Sequence, residues 1–581
     1  MKSANINSGL TLSDLVIVNG NILTVDPLFN VAQAVAVKED KIVATGSSED
    51  MKKLANKRTR VLDLKGATML PGINDTHCHM SDWALTRPPF KLETRYPVVK
   101  SIADVVKMVR NQVKIAKPGE WIQGEGWDEG YLKECQANPG RKPTKEDLDK
   151  VSPNNPVYLV EYSGHRSWCN SMALKKVGIA RDTPDPVGGR IDKDPDTGEL
   201  TGLLYEKASF MVGIAIPPWT YLQRKTAIPL AMAELNSLGI TSFTDAGVER
   251  NKLAIYNDAY NEFSKENRWT CRVNMLLSLG SVGPDPEDRA RNVVDSTKQA
   301  LKYIGTRHNF GNEWLRINGA KLVADGIPPL KTAWMYDEYL DGSTGGLTID
   351  GKSPAEQEKN LRDLIIMLHQ NRYQVGIHCT GSRTADVCLD QYMKCIGEDP
   401  WDARHYTIHS DYIRPEMIEK VGRFGKSTGY ELGMNVQSLI KWTISGLMDS
   451  VVGPEKAGYE WPLRTMLDNG IHVADSSDAP VTYPDWRNGI QSAVLRESKA
   501  TGKVSGPEQR ITVSEAILNY TLNGAWLDHM ETRKGSIERG KYADFCIIDR
   551  DILNIEPHKI SDLKILMTIT GGNIVFDAGQ I

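Results

Sequence analysis

The stretch that decides the reading of this chain is Leu70-Pro71-Gly72-Ile73-Asn74-Asp75-Thr76-His77-Cys78-His79. It begins as an apolar run and ends in His-x-His. In an extended backbone side chains alternate faces, so His77 and His79 point one way and Cys78 the other. Two imidazoles aimed at one point can chelate a divalent ion. With 11 histidines in 581 residues, chance supplies a His-x-His about 0.2 times. Taken alone, the pair reads equally well as two polar residues on a solvated strand face. Three more apolar runs shift the balance, because they place His378, His409 and Asp478 at or just beyond their ends: Gln374-Val375-Gly376-Ile377-His378, Tyr406-Thr407-Ile408-His409, and Ile471-His472-Val473-Ala474-Asp475 leading into Ser476-Ser477-Asp478-Ala479-Pro480. A single histidine after an apolar run is more often a hydrogen-bonded core residue, and an Asp before Ala-Pro is usually a turn or cap. Together the five residues form the nitrogen- and oxygen-rich set that suits zinc at a site with one position left for water.

Working outward, Ile240-Thr241-Ser242-Phe243-Thr244-Asp245 follows a helical stretch from Pro229 to Leu238, and Arg316-Ile317-Asn318-Gly319-Ala320-Lys321-Leu322 is a further strand-like run. Strand–helix alternation over several hundred residues predicts a parallel α/β architecture, a closed barrel or an open sheet. In a barrel, active-site residues gather at the C-terminal ends of the strands, where these candidates fall. Both ends of the chain read instead as short strands between turn signals, such as Leu15–Val18, Ala34–Val37 and Ala67–Leu70, then Asp544–Asp549 and Ile565–Thr570. We therefore expect a β-sandwich from 1–70 and 528–581 around a barrel spanning 71–527. From about 87 to 211 the rhythm breaks into a Pro- and Gly-rich, inserted, loop-rich subdomain.

Composition narrows the function classes. Hydrophobic residues make up 40% and charged residues 25%, with Lys+Arg 70 against Asp+Glu 74 and a net charge of −4. No single-sign block is long enough for a nucleic-acid or membrane tail. No apolar run approaches the roughly 20 residues of a membrane span, and Met1–Asn7 lacks a secretory apolar core. The expectation is a soluble, cytoplasmic enzyme that binds neither nucleic acid nor membrane. The eight cysteines contain no CxxC pair and read as buried thiols.

Further motifs accompany the histidines: Gly126-Trp127-Asp128, Ser163-Gly164-His165, Asn170-Ser171, Asp185-Pro186, Gly188-Gly189, Lys321 with Asp325-Gly326, Thr332-Ala333, and Gly540-Lys541-Tyr542-Ala543-Asp544. In this order they resemble the amidohydrolase superfamily of metal-dependent (β/α)8 TIM-type barrel hydrolases, and most closely its N-substituted formamide deformylase-like branch (amidohydrolase family 3). The resemblance implies that His77 and His79 bind one metal and His378 and His409 a second. It also implies that Lys321 carries a CO2-derived carbamate bridging the two. Zinc is the expected ion, one or two per chain. Two departures stand out: Gly381-Ser382 where the branch usually has Gly-Asp, and Ser476-Ser477-Asp478 where it commonly reads Gly-Ser-Asp.

The implied reaction is cleavage of a C–N bond (amide, N-formyl or N-acyl) in a small molecule by metal-hydroxide attack, with Asp478 as metal ligand and general base, then acid. His165 is the candidate for polarising the carbonyl or orienting substrate. Trp83, Trp127, Tyr162 and Trp168 are expected to line an apolar pocket, with the insertion over the barrel mouth. A mononuclear deaminase or decarboxylase of the same superfamily is the alternative, since fold and metal set do not fix the reaction. A metal-binding protein that lost catalysis is the reading from another class. A homodimer is the default expectation for a soluble enzyme.

Overall fold

The computed structural model describes residues 12–96, 98–138, 140–162, 164–186, 188–280, 293–305, 307–499 and 501–581; Ser163 of the Ser-Gly-His motif lies outside them. The chain divides into two compact units, one made of the residues up to Met80 with Pro229–Ile581, the other of Ser81–Ile228.

The first unit is built on eight parallel strands: β1 (Ile73–Cys78), β2 (Ile240–Val248), β3 (Arg272–Leu277), β4 (Leu315–Val323), β5 (Gln374–Cys379), β6 (Tyr406–His409), β7 (Gly433–Val436) and β8 (His472–Asp475). They pair in that order from β1 to β8. This is a TIM-type barrel, nearly closed. No ladder joins β8 to β1, but Thr76 Oγ1 donates to the Asp475 carbonyl at 3.0 Å and receives Asn435 Nδ2 of β7 at 2.7 Å. All six residues of β1 and of β3 are buried, as expected where a parallel strand is covered on both faces.

Polar side chains inside the unit find one another. Asn74 donates to Asp528 (2.8 Å) and accepts from Ser242 (2.8 Å), while Lys534 donates to Ser242 (2.9 Å) and Asp528 (2.7 Å). Buried polar groups persist because they are bonded in this way. All eight cysteines are free and buried.

The two ends of the chain meet within the same unit. Thr68–Pro71 pairs with Phe545–Ile548 in a six-stranded sheet that also contains Ile565–Thr570 and Asn573–Asp577. A second sheet of four strands is wholly N-terminal, Leu15–Val18 lying between Ala34–Lys38 and Arg60–Asp63. One apolar cluster draws on both ends, including Leu15, Ile17, Val35, Met69, Phe545, Ile547 and Met567. At the base of β3, Arg272 reaches Asp544 through two bonds of 2.7 and 3.0 Å, tying the barrel to the C-terminal strands.

The helix before β2 begins at Tyr221 and ends at Ser237, so Pro229 sits inside it and not at its start. The inserted unit is more ordered than its Pro and Gly content suggests. It holds a six-stranded sheet, partly parallel and partly antiparallel. Its own core includes Val105, Val109, Ile122, Leu148, Leu159 and Leu203. Its described prolines lie outside the strands, mostly in connections between helices and strands, as at Pro118, Pro153 and Pro156, with Pro195 in the turn between Gly189–Lys193 and Leu200–Glu206. Among the described residues, no helix is long and apolar enough to cross a membrane.

Candidate metal centre

The C-terminal ends of β1, β5 and β6 and the loop after β8 bring one cluster together. His77 and His79 both turn to Asp478, their Nε2 atoms 3.2 and 3.4 Å from Oδ1. Cys78 turns away and reaches the Thr244 carbonyl, so the alternation expected of an extended chain holds here. The loop is fixed to the strand by Asp478 N–H donating to the His77 carbonyl (2.9 Å) and His79 N–H donating to the Ala479 carbonyl (2.7 Å). Asp75, two residues before His77, accepts the Ser477 hydroxyl at 2.5 Å and its N–H at 3.0 Å. His409 joins through its ring, 5.3 Å from that of His77, and His378 stands 4.4 Å from His409. His409, Ser410 and Asp478 all have positive φ, at 76°, 56° and 53°. Side-chain-bearing residues adopt that region at a cost, and such strain concentrates at functional sites.

Three of the four histidines are oriented from behind. His79 Nδ1 donates to the Ala246 carbonyl (2.8 Å), His378 Nε2 to the Gly326 carbonyl (2.9 Å), and His409 Nδ1 to Gln437 Oε1 (2.7 Å). Gln437 is held in turn, its amide donating to Asn435 and Ser476. Asp325 stitches the β4 and β5 loops by accepting from Gly381 N–H, Thr384 Oγ1, Thr380 N–H and Trp334 N–H, all within 3.1 Å. These bonds leave one nitrogen of each ring free to face the cluster, as in metal sites where the second nitrogen is anchored.

Except at His79, the electrostatics favour the protonation state a metal requires. Burial pushes His77 down to about 3, with the Lys321 charge adding to it, and holds His378 and His409 low as well. Burial alone would raise Asp478, but His77, His79 and His409 take it well below the carboxylate range. His79 moves up, since the Asp478 carboxylate outweighs its burial. Lys321 is buried on β4, and desolvation lowers it to about 7 against the pull of Asp478.

The fit to a metal can be tested on His77 itself. Its imidazole is wholly buried, and neither ring nitrogen has an aligned hydrogen-bond partner. A buried polar group left in that state costs about 1–3 kcal/mol. Ligand atoms of His77, His79 and Asp478 lie within 4.8 Å of one another. Neutral imidazole and ionised carboxylate are the donors divalent zinc takes.

The remaining sequence candidates lie in the inserted unit. His165 is largely exposed and pairs with Glu206 at 3.0 Å. Trp127 and Trp168 are fully buried in that unit's core, packed edge to face at 6.0 Å, with their indole N–H groups donating to the Leu159 and Thr144 carbonyls. Trp83 is buried too. The expectation that Trp127 and Trp168 line a substrate pocket is corrected: an indole needs an exposed face to meet substrate, and theirs are covered by core packing. Tyr162 is 59% exposed. Asp75 and Asp325 stand within motifs quoted from the sequence but are given no role there, and Gln437 is passed over. Gln437 follows directly after the short β7, a strand too polar to stand out in the sequence, so the strand-end rule that selected His378 and His409 did not reach it.

A barrel with a buried His-x-His at the end of β1, two more histidines at β5 and β6 and an aspartate after β8 is the scaffold of a metal-dependent hydrolase. The chain belongs to the amidohydrolase family, whose model matches residues 60–576. The protein YtcJ of Bacillus subtilis is 29% identical over 557 residues, 94% of this chain and 96% of that one. The N-substituted formamide deformylase of Arthrobacter pascens is 27% identical over 575 residues, covering 97% and 99% of the two chains. An uncharacterized metal-dependent hydrolase of Pyrococcus furiosus shares the fold, with a TM-score of 0.67 at 24% identity over 93% of this chain and 100% of that one. This protein is thus an enzyme of carbon–nitrogen bond hydrolysis acting on a small molecule, in a family that binds a divalent metal.

Proposed function

We propose that the protein hydrolyses the amide bond of an N-formyl or N-acyl amine, with His77, His79 and Asp478 holding one divalent ion. The observation that carries the reading is the wholly buried His77, whose Nδ1 has no hydrogen-bond partner and whose Nε2 stands 3.2 Å from the Asp478 carboxylate without an aligned bond. Zinc suits the donor set. His378 and His409, beside Lys321, form the complementary side for a second ion. A lysine brought to about 7 by burial is substantially deprotonated at neutral pH, the state in which an amine condenses with CO2 to a carbamate. When bound, a divalent ion polarises a carbonyl and makes coordinated water acidic enough to ionise near neutral pH.

The proton work falls to Asp478. Held ionised by its histidine neighbours, its carboxylate accepts a proton from the attacking water and returns it to the leaving nitrogen, so that water and amide give acid and amine. The strained backbone at Asp478 and its N–H bond to the His77 carbonyl fix the carboxylate beside His77 and His79. The full-length similarity to a formamide deformylase supports the N-formyl class. The test is metal analysis of the purified enzyme together with a panel of N-formyl and N-acyl amines. About two ions per chain with CO2-dependent turnover supports the bridged site. One ion with activity untouched by Lys321→Ala supports the mononuclear alternative. No turnover of any panel member by metal-saturated enzyme overturns the proposal.

A further inference from the structure

We propose that Arg383 is a specificity-determining residue that binds a carboxylate on the substrate, which narrows the substrate class to amides that carry an acid group. This rests on the amide-hydrolysis reading above and goes beyond it.

Arg383 occupies the first turn of the helix Ser382–Glu398, five residues after His378 and on the same side of the barrel. Its position is coupled to that histidine by short steps. Gly326 accepts from His378; its neighbour Asp325 accepts from Trp334 N–H; and Trp334 in turn accepts Arg383 N–H through its carbonyl at 3.1 Å. The Arg383 side chain is exposed, and its guanidinium carbon lies over the Trp334 ring, 4.2 Å from the centroid, with the Tyr336 ring 5.8 Å away.

Among the described residues no carboxylate is in ion-pair range of Arg383. Three acidic groups of its helix and of the loop that carries Trp334 are engaged elsewhere. Asp386 accepts from Arg414 and from the Tyr336 hydroxyl (3.0 Å), Asp337 faces Lys456 at 3.3 Å, and Asp341 receives Lys331 at 2.8 Å. The residue before it, Ser382, brings no charge: its buried hydroxyl accepts Tyr336 N–H at 3.2 Å. The result is an exposed cation without an ion pair among the described residues, held against an aromatic face. A guanidinium fixed in that way presents two parallel donors and matches a carboxylate bidentately.

The experiment compares two substrate series on the metal-saturated enzyme: N-formyl and N-acetyl amino acids, and the same compounds with the carboxylate capped as a primary amide. The wild type is expected to prefer the acids. Arg383→Ala should raise KM for the acids about 10- to 100-fold, leave kcat within about twofold, and leave the capped series unchanged. Arg383→Lys should restore part of the loss. Equal treatment of both series by the wild type, or an equal loss on both in Arg383→Ala, overturns the proposal. If neither series is hydrolysed, the amide reading fails and calorimetric titration with an N-acetyl amino acid still decides this one: tenfold weaker binding in Arg383→Ala supports it, and unchanged or undetectable binding in the wild type refutes it.

Discussion

Replacing Asp544 by Asn should destabilise the barrel unit without touching its chemistry. Asp544 and Arg272 are both almost fully buried and joined by two bonds of 2.7 and 3.0 Å; the guanidinium also lies 3.8 Å from the Tyr542 ring and 4.4 Å from Trp314. The second Asp544 oxygen further accepts Gly571 N–H at 2.7 Å. Removing one partner leaves a charge in a low-dielectric site, at a cost of about 3–5 kcal/mol. Asn keeps an acceptor, so its cost should fall near about 3 kcal/mol, with Ala nearer about 5. Replacing both residues, as Arg272→Met with Asp544→Leu, removes the orphaned charge and should cost less than the sum of the singles. Equilibrium guanidinium unfolding of the wild type, Arg272→Met, Asp544→Leu and the double variant gives the cycle, read at the first transition because two units need not melt together. Metal content and kcat of the folded variants should stay at the wild-type level. A loss below about 1 kcal/mol in Asp544→Asn, or strictly additive singles, would refute the reasoning.

Gln437→Leu frees His409 Nδ1 from its anchor and should weaken metal retention about 10- to 100-fold, measured by competition with a chelator. Asp478→Asn keeps the shape of the site but cannot take the water proton; turnover should drop by at least about 100-fold with substrate binding retained, and near-normal kcat would remove Asp478 from proton transfer. Acid should destabilise the protein through His308, which burial, assisted by Arg316, brings down to about 4. Its neutral form is favoured in the fold, so the contribution is intact above pH 6.5 and is lost as pH falls towards 4. That window corresponds to about 3 kcal/mol. His308→Gln should flatten the stability slope between pH 6.5 and 4 relative to wild type, and an unchanged slope contradicts the assignment.

Six of the eight barrel strands could be seen in the sequence, because Ile, Val and Leu runs announce them. The other two could not. In β3, Arg272 and Asn274 interrupt the apolar run, and β7 has only Gly433, Met434, Asn435 and Val436. Polar residues inside a barrel bond one another or the loops, as Asn435 bonds Thr76, so the strands that carry them lose the hydrophobic signature. His77, His79, His378, His409 and Asp478 were legible for the opposite reason, standing at or just beyond the ends of strands whose apolar residues could be read. Their supports were not, because a Gln, a carbonyl or an aspartate such as Asp325 becomes meaningful only when distant loops meet. The tryptophans misled for a related reason. Trp127 and Trp168 look like pocket aromatics until the sheet that buries them is in view.

The pairing of Pro71 with Phe545 joins residues 474 positions apart, and only Gly72 separates that strand from β1, which carries His77. At synthesis rates of about 5–20 residues per second, Thr68–Pro71 waits roughly half a minute to a minute and a half before Phe545–Ile548 emerges to cover its edge. During that interval the nascent chain offers a strand edge open to the wrong partner. A polypeptide that stops short of Phe545 keeps every histidine of the centre yet lacks the brace beside its first strand. Quality control at the ribosome would therefore meet this protein at its most exposed just before its metal-binding residues become useful.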